Sequence, residues 1–165
     1  MNQVTTVLTA VNRLHYLPSQ IESIQSQTTL SDILIVSHND LPYTLDYPAV
    51  IYKNDGKRAY FNSLYGRFYN SLNIKTPYVF ILDDDILPGK KYIDRCIKFS
   101  KTKKDKVVIC TWGITVNPNN VTYYDVNRIN TRIFLDKPTR VDIGAQGWFM
   151  KTELLNYFLN QAILE

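Results

Sequence analysis

The sequence predicts an α/β domain with a mainly parallel central sheet that is covered by helices on both faces. Its apolar, β-branched runs do not alternate with polar residues, which is typical of strands that are buried on both faces. Segments with apolar residues at helical spacing separate these runs. The chain has 165 residues, 45% of them hydrophobic, which suits one domain with a sizeable core, and no repeat or linker divides residues 1–165.

The first third of the chain begins with Val4–Ala10, a β-branched and apolar run that predicts a buried strand. Pro18 marks the start of an amphipathic helix, whose apolar positions are Leu17, Ile21 and Ile24. Residues 33–36 predict a second strand, and residues 49–52 predict a short third strand. Strand and helix therefore alternate from the start.

The middle of the chain continues this alternation. Residues 61–72 carry apolar side chains at helical spacing and predict a helix. Tyr78–Leu82 is the most hydrophobic strand and leads directly into three aspartates. Residues 92–97 predict a further helix, and residues 107–110 predict a fifth strand.

The last third of the chain is less regular. Residues 117–140 are rich in Asn, Thr and Tyr and contain Pro118 and Pro138, so short strands and a long loop both fit them. Residues 141–150 carry Gly144 and Gly147, and the sequence gives them no clear periodicity. Residues 152–164 predict a final helix.

Hydropathy and cysteine spacing bear on the cellular compartment that we expect for the protein. Its longest apolar run, residues 78–82, is far shorter than the roughly 20 residues of a membrane-spanning helix. The N-terminus lacks the basic start and long apolar stretch of a signal peptide. Cys96 and Cys110 have no paired spacing that would indicate a disulfide framework or a zinc site. We therefore expect a cytoplasmic protein without a transmembrane segment.

The basic residues are concentrated in one segment. The formal net charge is +4, which permits a polyanionic partner without requiring one. Residues 90–106 hold eight of the nineteen basic residues: Lys90, Lys91, Arg95, Lys98, Lys101, Lys103, Lys104 and Lys106. Aromatic residues do not alternate with them as they do on surfaces that bind single-stranded nucleic acid. We interpret the segment as a solvated helix face and loop, and we expect no nucleic-acid partner.

Three consecutive aspartates, Asp83, Asp84 and Asp85, follow the fourth strand. Ligands of open α/β sheets bind beyond the carboxyl ends of the strands, and like charges there repel one another unless a cation joins them. In an extended segment Asp83 and Asp85 point the same way, so they can converge on one ion. Hard carboxylate oxygens select Mg²⁺ or Mn²⁺. The alternative is a solvated acidic turn that caps the next helix.

Glycine-rich phosphate loops are absent from the sequence. The six glycines form neither GxGxxG nor GxxxxGK[ST], so the dinucleotide fingerprint and the P-loop are both missing. A diphosphate bound by this domain would therefore be neutralised by a metal ion that carboxylates hold, and not by the amides of a glycine loop.

Several segments, in order, resemble family 2-type glycosyltransferases, which have the GT-A fold. The matching segments are Val4 to Thr9 with Asn12-Arg13, Leu17 and Ile21, Ser23-Ile24 with Gln27-Thr28, the strand at 33–36, Asn54 with Gly56 and Asn62, the DxD-like Asp83-Asp84-Asp85 with trailing Pro88, and the glycine-bearing residues 144–151. The resemblance covers nearly the whole chain. It implies a Rossmann-like three-layer sandwich that binds a nucleotide-sugar.

The resemblance also implies roles for the acidic residues. Asp85 would be the main ligand of Mn²⁺ or Mg²⁺, and Asp83 would bind ribose or reach the metal through water, with Asp84 assisting. Asn39 or Asp40 would meet the nucleobase. The family usually has two acids in that turn, and this sequence has one, which leaves the base open.

Further residues would lie at the nucleotide-sugar. Thr9 and Arg13, at the end of the first strand, would approach the nucleotide. Lys57 and Arg58 would face the pyrophosphate or belong to an ordinary solvated loop. Trp148 would stack on a sugar ring or pack in the core.

The activity implied is transfer of a sugar from a nucleotide-sugar, a UDP-sugar, to a hydroxyl of a glycan or similar acceptor. An inverting enzyme needs a general base, and the family's acidic motif beyond the glycine segment is not visible. Asp142 is the candidate base, and its alternative role is that of a strand-end acid. We expect a domain truncated on its acceptor side, a non-catalytic donor-binding remnant, or an enzyme with an unusual base.

A haloacid-dehalogenase-like phosphatase is a second enzyme class that places DxD at the end of a strand. Its motif has Thr or Val where Leu87 stands here, and it lies on the first strand instead of the fourth. The sequence therefore favours the glycosyltransferase.

Overall fold

The structure, a computed structural model, describes residues 2–11, 13–37, 46–51, 66–68, 73–115, 127–129 and 138–162. Four predicted site residues lie outside the described residues: Asn39, Asp40, Lys57 and Arg58. Most of the helix predicted at 61–72 also lies outside them, and the part that is described, residues 66–68, is helical.

The described residues form a seven-stranded sheet. Its strands are β1 (Val4–Ala10), β2 (Ser31–Ser37), β3 (Ala49–Ile51), β4 (Tyr78–Leu82), β5 (Ile109–Thr115), β6 (Asn127–Ile129) and β7 (Ile143–Lys151). Their order across the sheet is β3-β2-β1-β4-β7-β5-β6. Strands β1 to β4 are parallel, whereas β7 runs antiparallel to β4 and β5, and β6 runs antiparallel to β5. Five strands thus share one direction, which confirms the predicted mainly parallel sheet.

Helices cover both faces of the sheet. A 3₁₀ turn (Leu14–Tyr16) leads into helix α1 (Leu17–Gln25). Two longer helices follow later in the described chain, α2 (Tyr92–Thr102) and α3 (Thr152–Ala162). Apolar residues of α1 and α2 form one core cluster with the sheet, and apolar residues of α3 form a second one. The result is a three-layer sandwich. None of the described helices is both long enough and apolar enough to span a bilayer.

The central strand β4 shows why the predicted strands lack alternation. Phe80 belongs to the core cluster shared with α1 and α2, whereas Val79 and Ile81 belong to the cluster shared with α3. All five residues of β4 are buried. Because both faces of the strand are covered, every position is apolar.

The strand β7, which the sequence did not predict, lies between β4 and β5. Its glycines conceal the strand pattern, yet the packing requires them. A Cβ atom on Gly144 would lie 2.0 Å from Sγ of Cys110, and one on Gly147 would lie 2.9 Å from Cγ2 of Thr111. The neighbouring β5 begins at Ile109 and extends to Thr115, beyond the predicted residues 107–110. The close approach of β5 and β7 therefore favours glycine at positions 144 and 147 of β7.

Candidate functional site

The three aspartates lie at the edge of the sheet where the parallel strands β1 and β4 end, which we call the carboxyl edge. The backbone N–H of Asp83 donates to the carbonyl of Gln146, at 2.9 Å, and so continues the pairing of β4 with β7. Asp84 and Asp85 then form a turn. The extended geometry from which we expected Asp83 and Asp85 to point the same way is therefore not continued past β4.

Each carboxylate of the turn has an arginine partner. Arg67 donates a hydrogen bond to Asp83. Nη1 of Arg13 lies 2.5 Å from Oδ2 of Asp85 and 3.3 Å from Oδ1 of Asp84. Within the described ranges, no three His, Cys, Asp or Glu side chains converge as a ready-made metal cluster. The repulsion that the sequence predicts is thus compensated here by two guanidinium groups.

Arg67 is held in place by aromatic rings. Its Cζ lies 4.8 Å from the centroid of the Trp148 ring and 5.2 Å from that of Phe68. The indole Nε1 of Trp148 donates to the carbonyl of Gly144, at 3.2 Å, which fixes the ring. Trp148, predicted for sugar stacking or core packing, therefore contacts the cation that pairs with Asp83.

The protonation of Asp83 depends on this arrangement. Burial raises the pKa of the Asp83 carboxyl, the positive charge and hydrogen bond of Arg67 lower it, and the nearby charges of Asp85 and Asp84 raise it again. The hydrogen bond to Asp85 in turn raises the pKa of the exposed Arg13 guanidinium. Asp83 is thus a partly desolvated carboxylate whose charge needs a neighbouring cation.

Gln20 fastens the aspartate turn to α1. Its side chain is buried, and Nε2 donates to the carbonyls of Asp83 (2.7 Å) and Ile86 (3.1 Å). Our sequence reasoning missed this residue. The available signal was its position, since Gln20 lies within the apolar stripe of α1 between Leu17 and Ile24.

Two more residues of α1 and its end hold the following loop, residues 83–89. The hydroxyl of Ser23 donates to the carbonyl of Pro88, at 2.9 Å. Nε2 of Gln27 donates to the carbonyl of Gly89, at 3.1 Å. Both residues belong to the resemblance described above, and here they position the loop that carries the aspartates.

Thr9 places a buried hydroxyl at the same edge. Leu8 pairs with Leu82, so Thr9 is level with Asp83. Thr9 is 2% exposed, and its Oγ1 has no hydrogen-bond partner among the described residues. A buried hydroxyl left without a partner costs about 1–3 kcal/mol.

Gln146 is a further residue of the edge that sequence reasoning missed, as it missed Arg67. Its φ angle is +68°, which is uncommon for a residue other than glycine. Such a conformation costs about 1–2 kcal/mol. The carbonyl of Gln146 accepts the hydrogen bond from the backbone N–H of Asp83. No local pattern in the sequence indicates it.

Asp142, the candidate base, lies just before β7. It is exposed, and its backbone N–H donates to the carbonyl of Ile114, at 2.9 Å. It precedes Gln146 by four positions along the chain. Asp142 is thus on the carboxyl edge, but beside β5 and not beside the aspartate turn.

The oxygen donors at the carboxyl edge fit a hard divalent cation. Mg²⁺ is usually held by one or two carboxylates together with water and substrate phosphates, so a three-carboxylate cluster is not needed. The side chain of Asp85 is 39% exposed and can be reached from solvent. The cation would replace Arg13 as the counter-charge of Asp85.

Comparison with known proteins gives a similarity of fold. No protein-family model and no curated protein matches the sequence. The fold is similar to that of the CMP:2-keto-3-deoxy-manno-octonic acid synthetase complexed with CTP, with a TM-score of 0.54 and 8% identity over 96% of this chain and 78% of that one. At this identity the similarity shows the fold alone, and it confirms the predicted Rossmann-like α/β class.

Proposed function

We propose that this protein binds a nucleotide-sugar, a UDP-sugar, at the carboxyl edge and transfers the sugar to a hydroxyl of a glycan or similar acceptor. The observation that carries the proposal is that the carboxyl edge holds the ion pairs Arg67–Asp83 and Arg13–Asp85 together with the buried hydroxyl of Thr9, which has no partner among the described residues. Cations, hard oxygens and a hydroxyl are the groups that bind a metal-nucleotide diphosphate. The resemblance of the sequence to glycosyltransferases supports the same reaction.

In this proposal the residues of the aspartate turn bind and orient the donor. Asp85 would be the main ligand of Mn²⁺ or Mg²⁺, which supplies positive charge to the departing nucleoside diphosphate, and Asp83 would reach the ion through water or bind the ribose. Arg67 keeps Asp83 ionised and oriented. Arg13 is exposed on the same edge, so its guanidinium can exchange Asp85 for a phosphate oxygen. Thr9 would hydrogen-bond the nucleotide.

The proposed reaction is a displacement at the anomeric carbon. The bond between that carbon and the diphosphate oxygen breaks, and a bond to the acceptor oxygen forms. The acceptor's proton passes to the carboxylate of Asp142.

Titration calorimetry with UDP and Mn²⁺ tests donor binding. We expect Asp85→Ala to abolish metal-dependent UDP binding, and we expect Asp94→Asn, an acid of α2 paired with Lys98, to bind as the wild type. Unchanged UDP affinity in Asp85→Ala would overturn the metal assignment.

Turnover is tested by release of UDP from a UDP-sugar. We expect Asp142→Asn to lower it by about 100-fold or more while UDP affinity stays the same. Donor binding without any turnover in the wild type would instead support the non-catalytic remnant.

Sugar nucleotidyl transfer is a second candidate, favoured by the fold similarity to the synthetase bound to CTP. It would release pyrophosphate from a nucleoside triphosphate and a free sugar, whereas glycosyl transfer releases a nucleoside diphosphate. The product therefore distinguishes the two.

Hydrolysis of p-nitrophenyl phosphate would instead support the phosphatase. In that class the DxD motif follows the first strand, whereas here three strands that run parallel to β4 precede it in the chain.

A further inference from the structure

The outer side of α2 carries a continuous line of positive charge. Lys91, Arg95, Lys98 and Lys101 follow at helical spacing, and all four are exposed. The opposite side of α2 is buried against the sheet through Ile93, Cys96, Ile97 and Ser100. Four more exposed residues extend the line at both ends: Lys90, Lys103, Lys104 and Lys106. We call these eight residues the basic face.

The acidic residues of this segment do little to neutralise it. Asp94 bonds to Lys98, at 2.9 Å. The carboxylate of Asp105 accepts hydrogen bonds from the hydroxyls of Tyr78 and Ser100. Residues 90–106 thus hold eight basic and two acidic residues, whereas the rest of the chain holds eleven basic and thirteen acidic ones. The positive charge of the protein is therefore concentrated in this one segment.

The kind of polyanion is indicated by the apolar groups around the basic face. Tyr92 is half-buried against the core, and Phe99 has Lys103 over its ring, so neither offers an open surface for base stacking. Leu87 and Val108, at either end of the segment, are 58% and 46% exposed. Basic side chains flanked by exposed aliphatic ones match the interface of an anionic bilayer, where lysines meet headgroups and aliphatic groups enter the interfacial layer.

We propose that the basic face binds peripherally to membranes that contain anionic phospholipids. A bilayer lying along α2 faces the outside of the α1–α2 layer. The face covered by α3 then points away from the bilayer. This inference does not depend on the proposed glycosyl transfer.

Co-sedimentation with vesicles tests the proposal. The probes are vesicles of phosphatidylcholine alone and vesicles with about 30% phosphatidylglycerol. We expect binding to the anionic vesicles only, with strong weakening between about 50 mM and about 300 mM salt. The test variant is Arg95→Gln/Lys101→Gln, and the matched control is Arg140→Gln/Lys75→Gln, which removes one arginine and one lysine that are also exposed.

Each basic residue near an anionic surface contributes roughly a fivefold factor, so the test variant should bind about 25-fold more weakly, and the control should bind as the wild type. Equal binding by the two variants would overturn the proposal, as would equal binding to both kinds of vesicle. Tighter binding to a single-stranded oligonucleotide than to the vesicles would replace the bilayer by nucleic acid. UDP titration of the test variant separates these outcomes from the proposed function, because Arg95 and Lys101 lie on α2 and not at the carboxyl edge.

Discussion

Arg67 donates a hydrogen bond to Asp83 while its guanidinium lies over the indole ring of Trp148. The side chain of Arg67 is 12% exposed and that of Asp83 is 28% exposed. The Asp83 carboxylate has lost much of its contact with water, and the hydrogen bond from Arg67 takes the place of that water. The pair therefore links the stability of the domain to the charge of the aspartate turn.

Replacement of Arg67 by Met should destabilise the protein by about 1–3 kcal/mol at neutral pH, because Asp83 is left charged and partly buried. Burial already raises the pKa of Asp83, and without Arg67 that pKa rises further. A raised pKa favours folding at low pH and opposes it as the pH rises, so the loss should be larger at about pH 7.5 than at about pH 4.5. Urea denaturation at both pH values measures this loss in the free energy of unfolding.

The control for Arg67→Met is Lys98→Met, at an exposed ion pair, which should change the free energy of unfolding by less than about 0.5 kcal/mol at either pH. Equal losses for Arg67→Met at both pH values would contradict the coupling.

Gln20→Leu keeps the volume of a buried side chain and removes two hydrogen bonds to backbone carbonyls. The carbonyls of Asp83 and Ile86 then lose their partner, and we expect a loss of about 2–4 kcal/mol in the free energy of unfolding. Gln25→Leu, at an exposed position of the same helix, should cost less than about 1 kcal/mol. Chemical denaturation compares the two. Similar small losses would show that α1 does not fasten the aspartate turn.

Gly144→Ala tests the contact between β5 and β7. The added Cβ would lie 2.0 Å from Sγ of Cys110, so we expect a loss of about 1–3 kcal/mol as the strands move apart. Gly89→Ala is the matched control, since nothing lies within 4 Å of its Cβ position. Thermal unfolding of both variants is the measurement. An unchanged melting temperature for Gly144→Ala would mean that β5 and β7 are not so closely packed.

Arg13→Gln should strengthen the binding of Mn²⁺ alone. The guanidinium now provides the counter-charge of Asp85 and Asp84, and a cation bound there must displace it. We expect the Kd for Mn²⁺ in the absence of nucleotide to fall several-fold at low salt, and the difference to shrink as salt screens the exposed charges. Calorimetric titration measures both. Weaker Mn²⁺ binding in this variant would show that Arg13 does not compete with the cation.

Much of the fold follows from local sequence. The buried positions of β1, β2 and β4 are mostly apolar, apart from three threonines of β1 and Ser37 of β2, and the apolar spacing of α1 and α2 marks the side that each helix buries. The position of the aspartates directly after β4 follows in the same way. Such features are predictable because each depends on neighbouring residues only.

The partners of the aspartates could not be predicted. Arg67 precedes Asp83 by 16 residues and Arg13 precedes Asp85 by 72, and nothing in either local pattern joins them. Asn39, Asp40, Lys57 and Arg58 remain predictions. The unpartnered hydroxyl of Thr9 is likewise visible only once β1 and β4 are side by side.

The sequence by itself determined strands β1 to β4, the helices α1 to α3 and the acidic end of β4, because hydrophobic periodicity is a local property. Only the tertiary structure decided that β7 runs antiparallel between β4 and β5, since its glycines erase the pattern that would announce a strand. It also decided which cation meets each carboxylate. That choice depends on how distant segments pack, because a buried charge is stabilised by whichever opposite charge the fold brings within reach.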